Sequence, residues 1–462
     1  MSHIKNLPVA VIGGGPVGLA AAAHLLERGL PVKLYEAGAE VGANIRDWGH
    51  LRVFTPWRYC VDDIAAKRLA RAGWRMPNPD QLPTGAEIVR DYLEPLAALA
   101  AMAEIIEKRA TVSAITRQGI DKVVSRDRET HPFVLVVETL HGVRRDLARA
   151  VIDASGTWRK PNPLGAGGLF AEGEVKFAGR IRYGIPNVLG GSRDAFAGKT
   201  TLVVGSGHSA ANSLLDLARL KRDVPATKTI WVTRSADLGR IYSGGDADQL
   251  PARGDLGADV RHLAEGGGVE LHTGFAIVAI RERDGRLIVE GDTAHGRRSV
   301  GPVDRIIAAT GQRPDLAITR ELRLELDPWL ESAKALGPLI DPNLHSCGSV
   351  PPHGHRELSH PEPGFYTVGI KSYGRAPTFL LLTGYEQVRS VAAALSGDLA
   401  SADDVKLVLP ETGVCSTERP TAPIGSASCC GGPAPAAIDA CCVQDAEAKS
   451  AGNSGCGCRT AA

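Results

Sequence analysis

Short apolar runs alternate with longer Ala- and Leu-rich stretches along most of the chain. Val9-Ala-Val-Ile12 is a strand-type run, Leu19 to Arg28 reads as a helix, and Val32 to Tyr35 is a second strand. Gly29 is placed to stop that helix. The same order recurs further on, with a strand at Thr200 to Val204, a helix from about Ser209 to Leu220, and a strand at Ile230 to Thr233. Between these units the pattern predicts a helix over Ala86 to Ala103 and strands at Thr111 to Ile115 and Phe133 to Thr139. Two strands that end in glycine, Val151 to Gly156 and Ile306 to Gly311, flank the second unit. A last strand at Phe365 to Ile370 precedes a helix at Thr383 to Leu395, with Leu382, Val388 and Val391 as expected buried positions. Strands alternating with helices in this way predict an α/β fold with parallel sheets.

The turns carry the first chemistry. After the opening strand comes Gly13-Gly-Gly-Pro16-Val-Gly18, and the second strand ends at Glu36. Gly13 permits a tight turn, Gly15 lets a pyrophosphate approach the backbone, and Gly18 lets helix and strand pack closely. The helix N-terminus, opened by Pro16, supplies amide donors for phosphate. Glu36, with Ala37 beside it, is placed to hold a ribose hydroxyl. The second unit repeats this with Gly205-Ser206-Gly207-His208-Ser209-Ala210, in which Ala210 takes the third glycine's place. No acid ends its second strand. Arg234 stands there instead, and an arginine would pair with a 2′-phosphate that an acid would repel. The expected cofactors are FAD at the first turn and NADPH at the second. Two dinucleotides in one chain point to hydride passing from one to the other.

The expected organisation is two Rossmann-like domains, the NADPH domain inserted in the FAD domain, and a disordered Cys-rich tail. Residues 1–165 form the first part of the FAD-binding domain, 166–304 the inserted domain, 305–400 the returning part, and 401–462 the flexible tail. A chain of 462 residues with 44% hydrophobic and 23% charged residues is long enough for two or three domains. Its formal net charge of +1 advertises neither nucleic acid nor an anionic membrane as partner. The longest apolar stretch, Val9 to Leu26, is broken by its glycines, and the N-terminus lacks a secretory signal pattern. The expectation is a soluble cytoplasmic protein with a small-molecule substrate and an oligomeric state the pattern leaves open.

These residues resemble the two-dinucleotide-binding-domain flavoproteins and, within them, the flavin-containing monooxygenases. The resemblance covers about residues 7 to 397. It rests on the two glycine turns, Glu36, Ala309-Thr310-Gly311, and Val41-Gly-Ala-Asn44-Ile-Arg-Asp-Trp48. It implies that Asn44, Trp48, Gly156, Thr310, Gly311 and Gly369 also contact cofactor, and that Tyr373, Arg375 and Thr378 close over the flavin. The family's diagnostic segment is matched at Phe177 and Gly179, but Tyr183 replaces its histidine and Asn187 its aromatic residue. Tyr183 is either a cavity residue or a packing residue. The disulfide-reductase branch needs two redox cysteines near the flavin. Only Cys60 lies in the first candidate region, and residues 166 to 300 contain none. No catalytic side chain is assigned.

Cysteine usage is uneven. Of nine cysteines, only Cys60 and Cys347 precede residue 400. The tail carries Cys429-Cys430, Cys441-Cys442 and Cys456-Gly-Cys458 in a segment without aromatic residues. Such a segment builds no core, and paired thiolates select soft ions. Cys429, Cys430, Cys441, Cys442, Cys456 and Cys458 form the candidate metal site. The block resembles tails of bacterial arsenic-resistance proteins, which implies a trivalent metalloid as partner. A zinc tetrathiolate and incidental thiols remain open. His345, Cys347, His353, His355 and His360 crowd one Pro- and Gly-rich loop, read as a covering loop with solvated imidazoles. His208 is read as a spectator in its turn.

The resulting expectation is an NADPH-consuming flavin monooxygenase acting on a small soft nucleophile, with an arsenical suggested by the tail. Two alternatives stand beside it. One is a reductase that passes electrons to tail dithiols, and the other is a metalloid-binding flavoprotein without turnover.

Overall fold

Val9–Ile12 is wholly buried and pairs in parallel with Val32–Glu36 on one side and Ala150–Asp153 on the other. Ile106–Lys108 and Phe365–Thr367 complete a five-stranded parallel sheet as its two edges. Strands buried on both faces read as unbroken apolar runs, which is why this sheet was legible from hydropathy. The computed structural model describes residues 2–242, 251–344, 350–377 and 379–407 of the chain.

Helix Pro16–Glu27 packs against this sheet and buries every residue from Val17 to Leu25. Its alanines leave room for close approach, and helix Leu381–Ser396 lies against it. The latter helix buries Val388 and Val391, leaves Leu382 half-buried, and stops at Gly397, whose φ of 85° suits a glycine cap.

A second five-stranded parallel sheet runs Glu270–His272, Lys228–Val232, Thr200–Val204, Arg305–Ala308 and Ile181–Tyr183. Arg305–Ala308 was expected to begin the return to the first domain. It instead hydrogen bonds between two strands of the second sheet, because Ile306 and Ile307 are fully buried in the second domain's core. Ala309 also packs in that core and donates to the Val204 carbonyl, so the strand and the residue after it belong to the second sheet. Each parallel sheet has its own antiparallel three-stranded companion, Thr111–Arg117, Phe133–Thr139 and Gly142–Ala148 in the first, Ala276–Arg283, Arg286–Thr293 and Gly296–Val303 in the second.

The single helix expected over residues 86–103 is broken. Helix Gly85–Ile88 passes into a π turn at Val89–Leu93, then Glu94–Ala98, and Leu99 (ψ 134°) interrupts before Ala100–Ala103. Pro95 has no N–H to give the Asp91 carbonyl. That carbonyl accepts the Trp74 indole N–H at 2.8 Å instead. Among the described residues no helix is long and apolar enough to cross a membrane. The tail cysteines, Cys347, His345 and Thr378 lie outside the described residues.

Candidate functional site

The first turn sits where three strands of the first sheet end. Gly13 has φ +102°, and a β-carbon there would lie 2.6 Å from the Ala154 carbonyl oxygen. A β-carbon on Gly18 would overlap the Gly13 carbonyl oxygen, so helix and turn are as close as glycine allows. A β-carbon on Gly15, by contrast, would meet nothing within 4 Å. The turn is therefore tight below and open above. Gly15 caps the helix without a side-chain partner, which leaves first-turn amides for a ligand.

Glu36 is buried, and its carboxylate is held by two amides, Gly14 N–H at 2.7 Å and Gly38 N–H at 2.6 Å. Each oxygen keeps a lone pair free to accept a hydroxyl. Ala37 is exposed beside it. This open cradle, donor helix and oriented acid fit an adenine dinucleotide.

The second turn repeats the plan. Gly205 has φ +129°, and a β-carbon there would overlap the Ala309 carbonyl oxygen. Gly207 caps helix His208–Asp223, again without a side-chain bond, and a β-carbon on it would meet nothing within 4 Å. Ala210 is fully buried, with its methyl accommodated. Arg234 is exposed at the end of its strand and donates to the Ala166 carbonyl at 2.9 Å.

A cavity of about 450 Å³ opens beside the second turn, against residues of the first domain. His208, Ser209 and Asn212 reach it from the second helix, and Arg253 from helix Pro251–Glu265. Trp48, Phe54, Trp158, Tyr373 and Phe379 make its aromatic wall. Among the described residues no carboxylate or cysteine lines it. His208 packs edge-on against Phe54 with ring centroids 5.2 Å apart.

Trp158 was missed by sequence reasoning. Its indole N–H donates to Asp47 at 2.9 Å while its ring lies under Gly184 of the inserted domain, so it ties the crossing to both domains. Arg159 donates to Asn44 at 3.2 Å beside it. Thr310 donates to the Asn162 carbonyl at 2.6 Å, which binds the two crossing segments together at Gly311 (φ +83°). Gly156 (φ +73°) lies next to Ile370.

Lys371 was also missed. It is buried two residues past Gly369, and its ammonium meets Asp153 at 2.7 Å and Ser155 at 3.0 Å. That ion pair holds the ends of two neighbouring strands beneath the first turn. No local signal marks it, because its partners are far apart in the chain.

Tyr183 is a packing residue. Its hydroxyl donates to buried Glu174, which also accepts the Leu164 and Ala171 amides, and it does not line the cavity. Burial pushes its phenol up. The expected solvated histidine loop is corrected as well. His353 is buried, His355 pairs with Asp403 at 2.8 Å, and His360 is half-buried against Phe365. Each ring has its own surroundings, and among the described residues no metal-binding cluster forms. Cys60 is a buried free thiol pushed up to about 11 by burial, unsuited to thiolate chemistry near neutral pH.

Residues 8–77 match the family model of FAD dependent oxidoreductases. Over 213 residues the chain is 28% identical to the indole-3-pyruvate monooxygenase YUCCA1 of Oryza sativa subsp. japonica, covering 45% of this chain and 44% of that protein. The chain spans about half the length of the curated relatives it matches. Among solved structures, the bacillithiol disulfide reductase of Bacillus cereus superposes with TM-score 0.63 at 15% identity, over 85% of this chain and 99% of that one. The flavin-containing monooxygenase of Stenotrophomonas maltophilia gives TM-score 0.53 at 20% identity, over 85% and 98%. The chain thus has the two-dinucleotide-binding-domain flavoprotein fold, and its first unit carries the signature of the FAD-dependent oxidoreductases.

Proposed function

We propose that the chain is an NADPH-consuming flavin monooxygenase that binds FAD at Gly13–Gly18 and Glu36, and NADPH at Gly205–Ala210 and Arg234. The observation that carries this reading is the shared cavity. His208 and Ser209 of the second turn line it together with Ile45, Trp48 and Tyr373 of the first domain, and among the described residues no cysteine does. Bound flavin supplies two-electron chemistry between the nicotinamide and a second acceptor. The chain's residues bind and orient the cofactors, and the aromatic wall of Trp48, Phe54, Trp158, Tyr373 and Phe379 limits water at the reacting centre. With no dithiol among the described residues of the cavity, oxygen is the favoured acceptor, and a small soft nucleophile is the substrate class.

The tail extends the proposal. Cys429, Cys430, Cys441, Cys442, Cys456 and Cys458 are suited to chelate a trivalent arsenical and raise its local concentration. The role that follows is in arsenic resistance, in the cytoplasm. The test is NADPH oxidation with oxygen uptake by the purified protein, with and without arsenite and methylarsenite. Coupled consumption that rises with one arsenical and yields an oxygenated product supports the reading. NADPH oxidation without oxygen uptake would replace it with the tail-dithiol reductase. No turnover, with tight metalloid binding, would replace it with the binding protein. Deleting residues 408–462 should raise the apparent KM for the arsenical and leave kcat unchanged.

A further inference from the structure

The turn that follows strand Phe365–Thr367 is held by side chains from three separate segments. Gly369 has φ +70°, and a β-carbon there would lie 3.4 Å from Val17, in the first turn of helix Pro16–Glu27. The turn therefore rests on the helix end that faces the first cradle. Four residues on, Tyr373 forms part of the cavity wall. One short turn thus spans from the cofactor-binding helix to the cavity.

Gln387, fully buried on helix Leu381–Ser396, accepts the Gly369 N–H at 2.8 Å through its amide oxygen. Its NH₂ donates to Ser372 Oγ at 2.9 Å and faces His353 Nε2 at 3.2 Å. Ser372 in turn donates to the Gly369 carbonyl at 2.7 Å. His353 Nδ1 lies 2.9 Å from the Pro351 carbonyl. A carbonyl has no proton to give, so Nδ1 carries the ring proton and Nε2 accepts from Gln387. Every group then has one consistent role, and the neutral ring dictates which way the Gln387 amide points.

We propose that His353, acting through Gln387, is a positioning residue for the flavin, setting the Gly369–Tyr373 turn against Val17. This rests on the reading of the first cradle as the FAD site. A protonated His353 would direct an Nε2–H at the Gln387 NH₂. Gln387 would have to turn over, setting its NH₂ against the Gly369 N–H. Burial disfavours the charged ring. The groups facing it are Glu357 on its own segment, Glu386 on the helix, where Arg389 pairs with it, and the Tyr373 ring at 5.7 Å. Burial outweighs both carboxylates, so the ring is neutral at pH 7 and takes its proton only below the ordinary 6.5.

The test is FAD affinity of the apoprotein, by flavin fluorescence titration between about pH 5 and 8, for wild type, His353→Gln, His353→Phe and Gln387→Leu. Far-UV circular dichroism and thermal unfolding accompany each titration. At pH 7.5 His353→Phe and Gln387→Leu should bind FAD about tenfold more weakly, the effect of one buried hydrogen bond. His353→Gln, which keeps one acceptor and one donor, should restore affinity. Wild type should lose affinity at the acid end of the range, and His353→Gln should not. Superimposable pH profiles for wild type and His353→Gln would overturn the proposal, even where His353→Phe does not fold. A wild-type apoprotein that binds no FAD at any pH would instead overturn the flavin reading on which the proposal stands.

Discussion

The two dinucleotide turns share a plan and differ in tolerance. In both, a glycine with positive φ presses onto the carbonyl just past a neighbouring strand, Gly13 on Ala154 and Gly205 on Ala309. In both, the glycine that would meet the phosphates has open space beside it. They part at the third position. Gly18 has no room for a methyl, while the second turn carries one at Ala210 and buries it. They part again at the end of the next strand, where Glu36 is held by two backbone amides and Arg234 is exposed and tied to one carbonyl. The first turn is closed by backbone contact and its acid fixed by amides, while the second tolerates a methyl and leaves its arginine at the surface.

The largest test of that contrast is Gly18→Ala. It should cost about 3 kcal/mol or more of stability, since the clash is with backbone, and abolish flavin retention. Ala210→Gly should cost only about 1 kcal/mol. Thermal unfolding and flavin content read both, and equal costs would break the contrast. Next in size is Glu36→Ala, which should weaken FAD binding about tenfold to a hundredfold through loss of charge-assisted bonds. Flavin titration of the apoprotein measures it.

Arg234→Ala should raise the KM for NADPH about tenfold and leave that for NADH unchanged. Steady-state kinetics with both nucleotides decide, and an equal effect on both would remove Arg234 from 2′-phosphate recognition. The smallest effect is expected at the edge of the first sheet. Glu107, on strand Ile106–Lys108, is hydrogen bonded by Arg144 and paired with Lys33, and these hold its carboxyl down at about 2 from the ordinary 4.5. A lowered carboxyl contributes stability above its unfolded value, so this contribution is present above pH 4.5 and is lost as pH falls toward 2. For a partly exposed pair it should be under about 1 kcal/mol. Glu107→Gln should flatten that part of the acid unfolding curve.

Much of the fold was legible because its signals are local. A strand, a glycine turn, a helix and a second strand lie within one short stretch, and Gly13, Gly18 and Gly205 are each required by backbone pressed against them. Element ends were less legible. The helix expected over residues 86–103 widens into a π turn at Val89–Leu93 and breaks at Leu99, and Trp74, distant in sequence, takes the carbonyl that Pro95 leaves free. Strand Arg305–Ala308 could belong to either domain by hydropathy, and only its pairing with Thr200–Val204 and Ile181–Tyr183 assigns it.

By itself the sequence determined two parallel α/β units with dinucleotide turns, their charge difference at Glu36 and Arg234, and the lack of cysteine between residues 166 and 300. These depend on backbone conformations and residue types that neighbours along the chain dictate. Only the tertiary structure decided the cavity, the Lys371–Asp153 pair, the Trp158 tie and the Gly369–Gln387–His353 chain. Each joins groups from separate segments. Burial makes a polar group seek whatever partner packing brings near, and no spacing along the chain records which one that will be.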